Sequence, residues 1–196
     1  SGDRPTAEQI MAEGQRLERS DWPPRQRDWF RYWVGAVQSR LGDVQGLAQT
    51  VRESLALAEQ GGLENSAAMM QAEMFELALL DGDLPRAVEA GRKAVVILHR
   101  LGMTTTWALT NAYLCSAQAL NGELKEAAES ARAAQPALRS IELEALLWIH
   151  VALLCVRSGR AAEAARLAAC SRAWYAANRN VPDGTIARLH DTAESD

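Results

Sequence analysis

Apolar residues recur at three- and four-residue steps along most of the chain. Leu77, Leu80, Leu84, Val88, Val95 and Leu98 follow this rhythm, as do Leu143, Leu147, Val151 and Leu154. That spacing lines one face of an α-helix. Between the periodic stretches lie Asp21-Trp22-Pro23-Pro24, Gly61-Gly62, Leu101-Gly102-Met103 and Pro136, and polar helix starts such as Thr104-Thr105-Thr106, all residues that stop or start helices. The pattern predicts helices at 6–19, 25–40, 44–60, 64–80, 84–100, 105–120, 124–137, 140–158 and 160–178. A turn at Pro182-Asp183-Gly184 then leads to a short helix at 185–190, and residues 191–196 are expected to fray.

The helices come in repeats. Gly42-Asp43-Val44-Gln45-Gly46-Leu47 returns as Gly82-Asp83-Leu84-Pro85-Arg86-Ala87, as Gly122-Glu123-Leu124-Lys125-Glu126-Ala127 and as Gly159-Arg160-Ala161-Ala162-Glu163-Ala164, at intervals of 40, 40 and 37 residues. Gly2-Asp3-Arg4-Pro5-Thr6-Ala7 fits one period earlier. Each unit reads as a helix, a tight turn and a second helix packed antiparallel to it. The glycine supplies a left-handed helix end. The acidic residue after it, present in four of the five units, suits the start of the next helix. Ala87, Ala127 and Ala164, with Leu47 in the first full unit, sit five residues past the glycine. Gly35, Phe75, Cys115 and Ala152 stand seven before it. These positions are expected to form the helix crossing.

The Gly-Asp/Glu-x-x-x-Ala turn and the paired helices resemble the tetratricopeptide repeat (TPR) over nearly the whole chain, with a period of about 40 where the usual unit has about 34 residues. The resemblance implies an all-α fold: a right-handed superhelix of antiparallel helix pairs, an α-solenoid of about nine helices plus a short C-terminal cap. It implies a single domain over 1–196, with a half repeat at 1–24, repeats at about 25–62, 63–103, 104–138 and 139–180, and a cap at 181–196. The longer unit resembles the repeats in the C-terminal sensor regions of bacterial multidomain transcription regulators, of the winged-helix/predicted-ATPase or maltose-regulon-activator type, and the closing stretch from Ala164 through Trp174-Tyr175 to Arg188-Leu189 resembles the end of the winged-helix/predicted-ATPase group. The half repeat at Gly2 suggests a fragment of a longer chain, or a Ser1-Gly2 cloning remnant that happens to match.

Composition narrows the function classes. The chain is 48% hydrophobic and 23% charged with a net charge of −4, which disfavours direct nucleic-acid contact, since that needs a basic stripe. No apolar run approaches the roughly 18 residues of a membrane-spanning helix, and three cysteines without a disulfide framework suit a reducing cytoplasm. No phosphate-cradling loop, His-Glu-x-x-His or Cys-x-x-Cys occurs, and the three histidines are scattered at 99, 150 and 190. The expectation is therefore no catalysis, no cofactor and no metal. Cys115, Cys155 and Cys170 read as core residues, and His150, between Ile149 and Val151, as a satisfied interior histidine.

Recognition remains. In stacked repeats the first helix of each pair lines the concave face. By resemblance the candidate groove residues are Trp29, Tyr32, Arg40, Met69, Glu76, Ser116 and Ile149. The expected partners are a small molecule or a peptide or protein segment in that groove, and attached domains of the same regulator, with a homo-oligomer as a further expectation. A generic protein-interaction scaffold is the alternative to the sensor. Trp22, Trp29, Phe30, Tyr32 and Trp33 cluster in one unit. Packing of helix 25–40 against helix 6–19 is the first explanation, with an upstream interface or a ligand site as the others. Arg25, Arg27 and Arg31 read as a solvated face, and Met69, Met70 and Met74 as core filling.

Overall fold

The structure, a computed structural model, describes residues 4–19, 21–41, 43–178 and 184–195. Among them it contains ten α-helices and no strand: α1 (Arg4–Leu17), α2 (Pro24–Leu41), α3 (Val44–Gln60), α4 (Glu64–Asp81), α5 (Leu84–Arg100), α6 (Thr104–Leu120), α7 (Leu124–Ser140), α8 (Trp148–Arg157), α9 (Ala161–Ala177) and α10 (Gly184–Ser195). The chain forms two compact units, Ser1–Met74 and Phe75–Asp196, dividing within α4.

The turns explain why the helices alternate. Gly62, Gly82, Gly102, Gly122 and Gly159 all have positive φ, between 64° and 87°, and Glu142 takes the same conformation at 60°. A left-handed residue therefore follows each helix from α3 to α8, at intervals close to 20 residues. At six helix ends the chain returns an N–H to the carbonyl five residues back: Asp43 to Gln38, Leu63 to Ala58, Met103 to Leu98, Glu123 to Gln118, Leu143 to Leu138 and Arg160 to Cys155, at 2.8–3.0 Å. This closure satisfies carbonyls that a helix end leaves bare and folds the next helix back antiparallel.

The acidic residue after the glycine caps the next helix only where it is aspartate. Asp43 accepts from the Gly46 N–H at 2.9 Å, and Asp83 from the Arg86 N–H at 3.3 Å. Glu123, one methylene longer, accepts instead from Asn121 Nδ2 and from Arg92. The Gly2 turn and the Pro182-Asp183 turn lie outside the described residues.

At the crossings the expected pairs are buried, and their sizes are complementary. In the first unit Gly35 admits Leu47, whose Cδ1 lies 3.4 Å from where a Cβ on Gly35 would stand. In the second, Phe75 is fully enclosed and Gly91 makes room for it, so that a Cβ on Gly91 would lie 3.1 Å from the ring. Cys115 with Ala127, and Ala152 with Ala164, are likewise buried.

Three expected boundaries are corrected. Helix α7 continues through Pro136 to Ser140, because Pro136 and Arg132 are both exposed and the carbonyl that loses its N–H partner faces water. The next helix starts at Trp148 rather than at 140, preceded by a 3-10 segment at Glu144–Leu147. That repeat is three residues short, and the 3-10 segment, rising about 2.0 Å per residue against about 1.5 Å in an α-helix, makes up roughly one of them. Residues 191–195 do not fray but complete α10, whose Ile186 and Leu189 are only 2% and 3% exposed.

Candidate functional site

Helix α2 carries two apolar faces. Val34, Gly35 and Gln38 are buried on one of them. Phe30, one turn earlier, packs edge-on against Trp22 with ring centroids 6.0 Å apart and approaches Gly14 of α1. At about 100° per residue, positions 29, 32, 33 and 36 fall on the opposite side of the helix. There Trp29, Tyr32 and Trp33 are 62%, 38% and 51% exposed. The Trp29 and Tyr32 rings stack at 6.0 Å and 20°, and Trp33 meets both edge-on at 5.8 and 5.6 Å. The first explanation of the aromatic cluster thus holds for Trp22 and Phe30 but fails for these three. The inward face of α2 is already filled by smaller side chains and cannot also take them.

Polar contacts hold α2 in this orientation. Arg27 Nε and Arg31 Nε both donate to Glu18 Oε1, at 3.2 and 2.9 Å, and Arg31 Nη1 lies 3.0 Å from Glu53 Oε2 of α3. Asp28 Oδ2 accepts from Ser66 Oγ of α4 at 2.6 Å. The expectation of a solvated arginine face is corrected here. Arg25 is exposed, but Arg27 and Arg31 are half-buried partners of a shared carboxylate, which offsets the cost of removing their charge from water.

The other expected groove residues lie elsewhere. Arg40 is on α2, and its side chain lies outside the described residues. Met69 is half-buried on α4 with Met74, while Met70 is buried. Glu76 belongs to the second unit and is half-buried. Ser116 and Ile149 are fully enclosed, so they line no open surface: Ser116 Oγ sits 2.8 Å from His150 Nδ1, and Ile149 shares a core cluster with Tyr113 and Leu153. His150 is the satisfied interior histidine expected, with burial pushing its pKa down to about 3. Trp33 was visible in the sequence as part of the cluster, but its place in the exposed trio follows only from the 29/32/33 spacing read against the buried 34/35/38 face.

Among the described residues no group of three His, Cys, Asp or Glu side chains is placed to hold a metal ion, and no helix is long and apolar enough to cross a membrane. Burial raises the Cys115 thiol to about 12, with Cys155 nearby adding to the effect, and burial also raises Cys155. Neither has the electropositive, accessible setting that makes a thiolate nucleophile. Cys170 is exposed on α9, which corrects its expected place in the core.

No family model matches this chain, and no curated protein sequence matches it. Solved structures do. A kinesin light chain-like protein of Podosopora anserina with nearly identical TPR-like repeats is 19% identical, covering 90% of this chain and 86% of its own, with a TM-score of 0.59. A second structure of that protein gives 19% identity, 91% and 88% coverage and 0.57. BtubC (BKLC) of P. vanneervenii is 17% identical, covering 93% of this chain and 77% of its own, with a TM-score of 0.64. At such identities the likeness concerns architecture, and the chain has the fold of a TPR-like helical repeat protein.

Proposed function

We propose that this chain is a non-catalytic interaction domain that recognises a protein segment through the exposed aromatic face of α2. The observation that carries this reading is the stacked trio Trp29, Tyr32 and Trp33, set opposite the buried side of its own helix. Exposed tryptophan and tyrosine are the side chains on which protein interfaces concentrate binding energy, because they offer large rigid area and a polar tip. The TPR-like fold supports the same reading, since stacked helix pairs present extended recognition surfaces.

The narrower role, a sensor domain of a bacterial transcription regulator acting in the cytoplasm, rests on the resemblance of the repeat length and of the closing stretch. In that setting attached domains would be partners alongside the recognised segment. A small ligand in a groove loses two of its expected lining residues, Ser116 and Ile149, to the core. A protein segment is therefore the better occupant.

The test is selection of binding peptides from a displayed library on the whole chain, with each selected peptide then titrated against the wild type and Trp29→Ala/Trp33→Ala. The expected result is at least tenfold weaker binding to the double variant with unchanged helical circular dichroism. Peptides that bind both proteins equally would place recognition elsewhere.

A further inference from the structure

The exposed rings of α2 make a two-walled corner. Trp29 and Tyr32 lie nearly parallel, 20° apart, and the plane of Trp33 stands at 84° and 77° to theirs. Centroid separations of 5.6–6.0 Å put the three rings in contact with one another. No group fits between them, so whatever they bind lies against their outer faces. The face of an aromatic ring is its electron-rich side and attracts a cation, tryptophan most strongly. Both tryptophans of the trio are more than half exposed.

Charge on α2 is sorted around these rings. Arg27 and Arg31 turn to Glu18, and Arg31 also to Glu53 of α3, so their charges are matched away from the aromatic face. Asp28 stands directly before Trp29 and one helical turn before Tyr32, whose side chain leans back toward that turn. The Asp28 carboxylate is half-buried, accepts from Ser66 Oγ through Oδ2, and has no cationic partner among the described residues. A carboxylate held by one neutral hydroxyl keeps its other oxygen for a further donor. Arg25, one turn before Trp29, is exposed and makes neither an ion pair nor a ring contact among the described residues, so it does not cover the rings. The chain as a whole carries a net charge of −4, which favours the approach of a cationic segment over an acidic one.

We propose that the aromatic face of α2 reads an arginine of the partner segment. The guanidinium lies flat against the outer face of the Trp29–Tyr32 stack, with Trp33 as the side wall, and donates to Asp28 Oδ1. Arginine suits this corner better than lysine, because a guanidinium is planar, weakly hydrated and stacks on rings, whereas an ammonium is a strongly hydrated point charge. A methylated ammonium is recognised by an enclosing cage of rings, and here the rings touch and enclose nothing. The inference rests on the reading of this face as the recognition surface and names the chemistry that it selects.

The experiment probes the whole chain with an array of short synthetic peptides. Each random sequence is made in four forms, with arginine, citrulline, lysine or leucine at its centre; citrulline keeps the planar shape and removes the charge. Averaged over sequences, the arginine form should capture the wild type about tenfold better than the other three. Asp28→Asn still offers an acceptor to Ser66 and should lose most of that preference with unchanged helical circular dichroism. Arg25→Ala removes a like charge beside the site and should strengthen capture by the arginine form. Weaker capture by Arg25→Ala would indicate an acidic partner and overturn the proposal. Lysine equal to arginine would show charge attraction alone, and citrulline or leucine equal to arginine a purely apolar contact. Either result, or a preference for arginine that survives in Asp28→Asn, overturns the proposal while leaving the aromatic face as the binding surface, provided that Trp29→Ala/Trp33→Ala lowers capture. Capture indifferent to that double variant defeats the wider reading as well, and no capture by the arginine form defeats the proposal outright.

Discussion

The Ser116 hydroxyl meets Nδ1 of His150 at 2.8 Å, with both side chains fully enclosed. The Tyr113 ring lies against the imidazole at 4.8 Å. Burial, with a smaller contribution from His190, holds the His150 pKa at about 3 against an ordinary 6.5. The folded chain thus takes up this proton less readily than the unfolded chain. Its contribution to stability is present above the unfolded value and is lost as pH falls toward 3, at about 1.4 kcal/mol per pH unit. Urea unfolding at pH 7.0, 5.5 and 4.5 should show falling stability, and His150→Asn should flatten that dependence. A wild type equally stable at all three values would contradict a neutral, buried imidazole.

Glu142 occupies a turn position at which five other turns place glycine. A left-handed conformation costs a residue with a Cβ about 1–2 kcal/mol, while glycine adds about 0.5–1 kcal/mol of backbone entropy loss. Glu142→Gly should therefore raise stability by about 0.5–1 kcal/mol. Gly122→Ala, at a φ of 87°, should lower it. Thermal melts of both variants decide the point, and two shifts of the same sign would refute the common turn geometry.

The crossings at Gly91 and Ala127 are tightly filled. A Cβ at Gly91 would stand 2.9 Å from Leu114 Cδ1 and 3.1 Å from the Phe75 ring, and Ala127 is fully buried. Gly91→Val and Ala127→Leu should each cost about 1–3 kcal/mol through overpacking, as measured by denaturant midpoints. Unchanged midpoints would show that these residues are not contacts between paired helices.

The three thiols differ in access. Cys170 is exposed, while Cys115 and Cys155 are buried with raised pKa values. A charged, water-soluble thiol reagent should label one site per native chain, at Cys170, and three in denaturant. Cys170→Ser should abolish native labelling. Fast labelling at Cys115 would mean that the second unit opens readily.

Much of the architecture was legible because it is local. Glycine at the helix ends, apolar residues at three- and four-residue steps and small residues at fixed offsets act within one or two turns of chain, so the recurrence of Gly42, Gly82, Gly122 and Gly159 determined the helix pairs and their antiparallel sense. The 3-10 start before α8 was not legible, since a repeat three residues short can be accommodated in several ways. The recognition surface was legible only in part: the spacing of Trp29, Tyr32 and Trp33 puts them on one face, but periodicity does not say which of two apolar faces is covered.

That choice belonged to tertiary structure. Val34, Gly35 and Gln38 face inward because helices of the same unit pack there and Arg27 and Arg31 find Glu18, which leaves the aromatic rings outside. Ser116 and Ile149 were expected at a surface and are interior, because α10 packs on α8, which carries Ile149, and Ser116 finds His150 34 residues away. The sequence by itself determined where helices begin, turn and pair. Which faces stay open to a partner was decided by contacts between residues far apart in the chain, and those depend on a burial that no local pattern encodes.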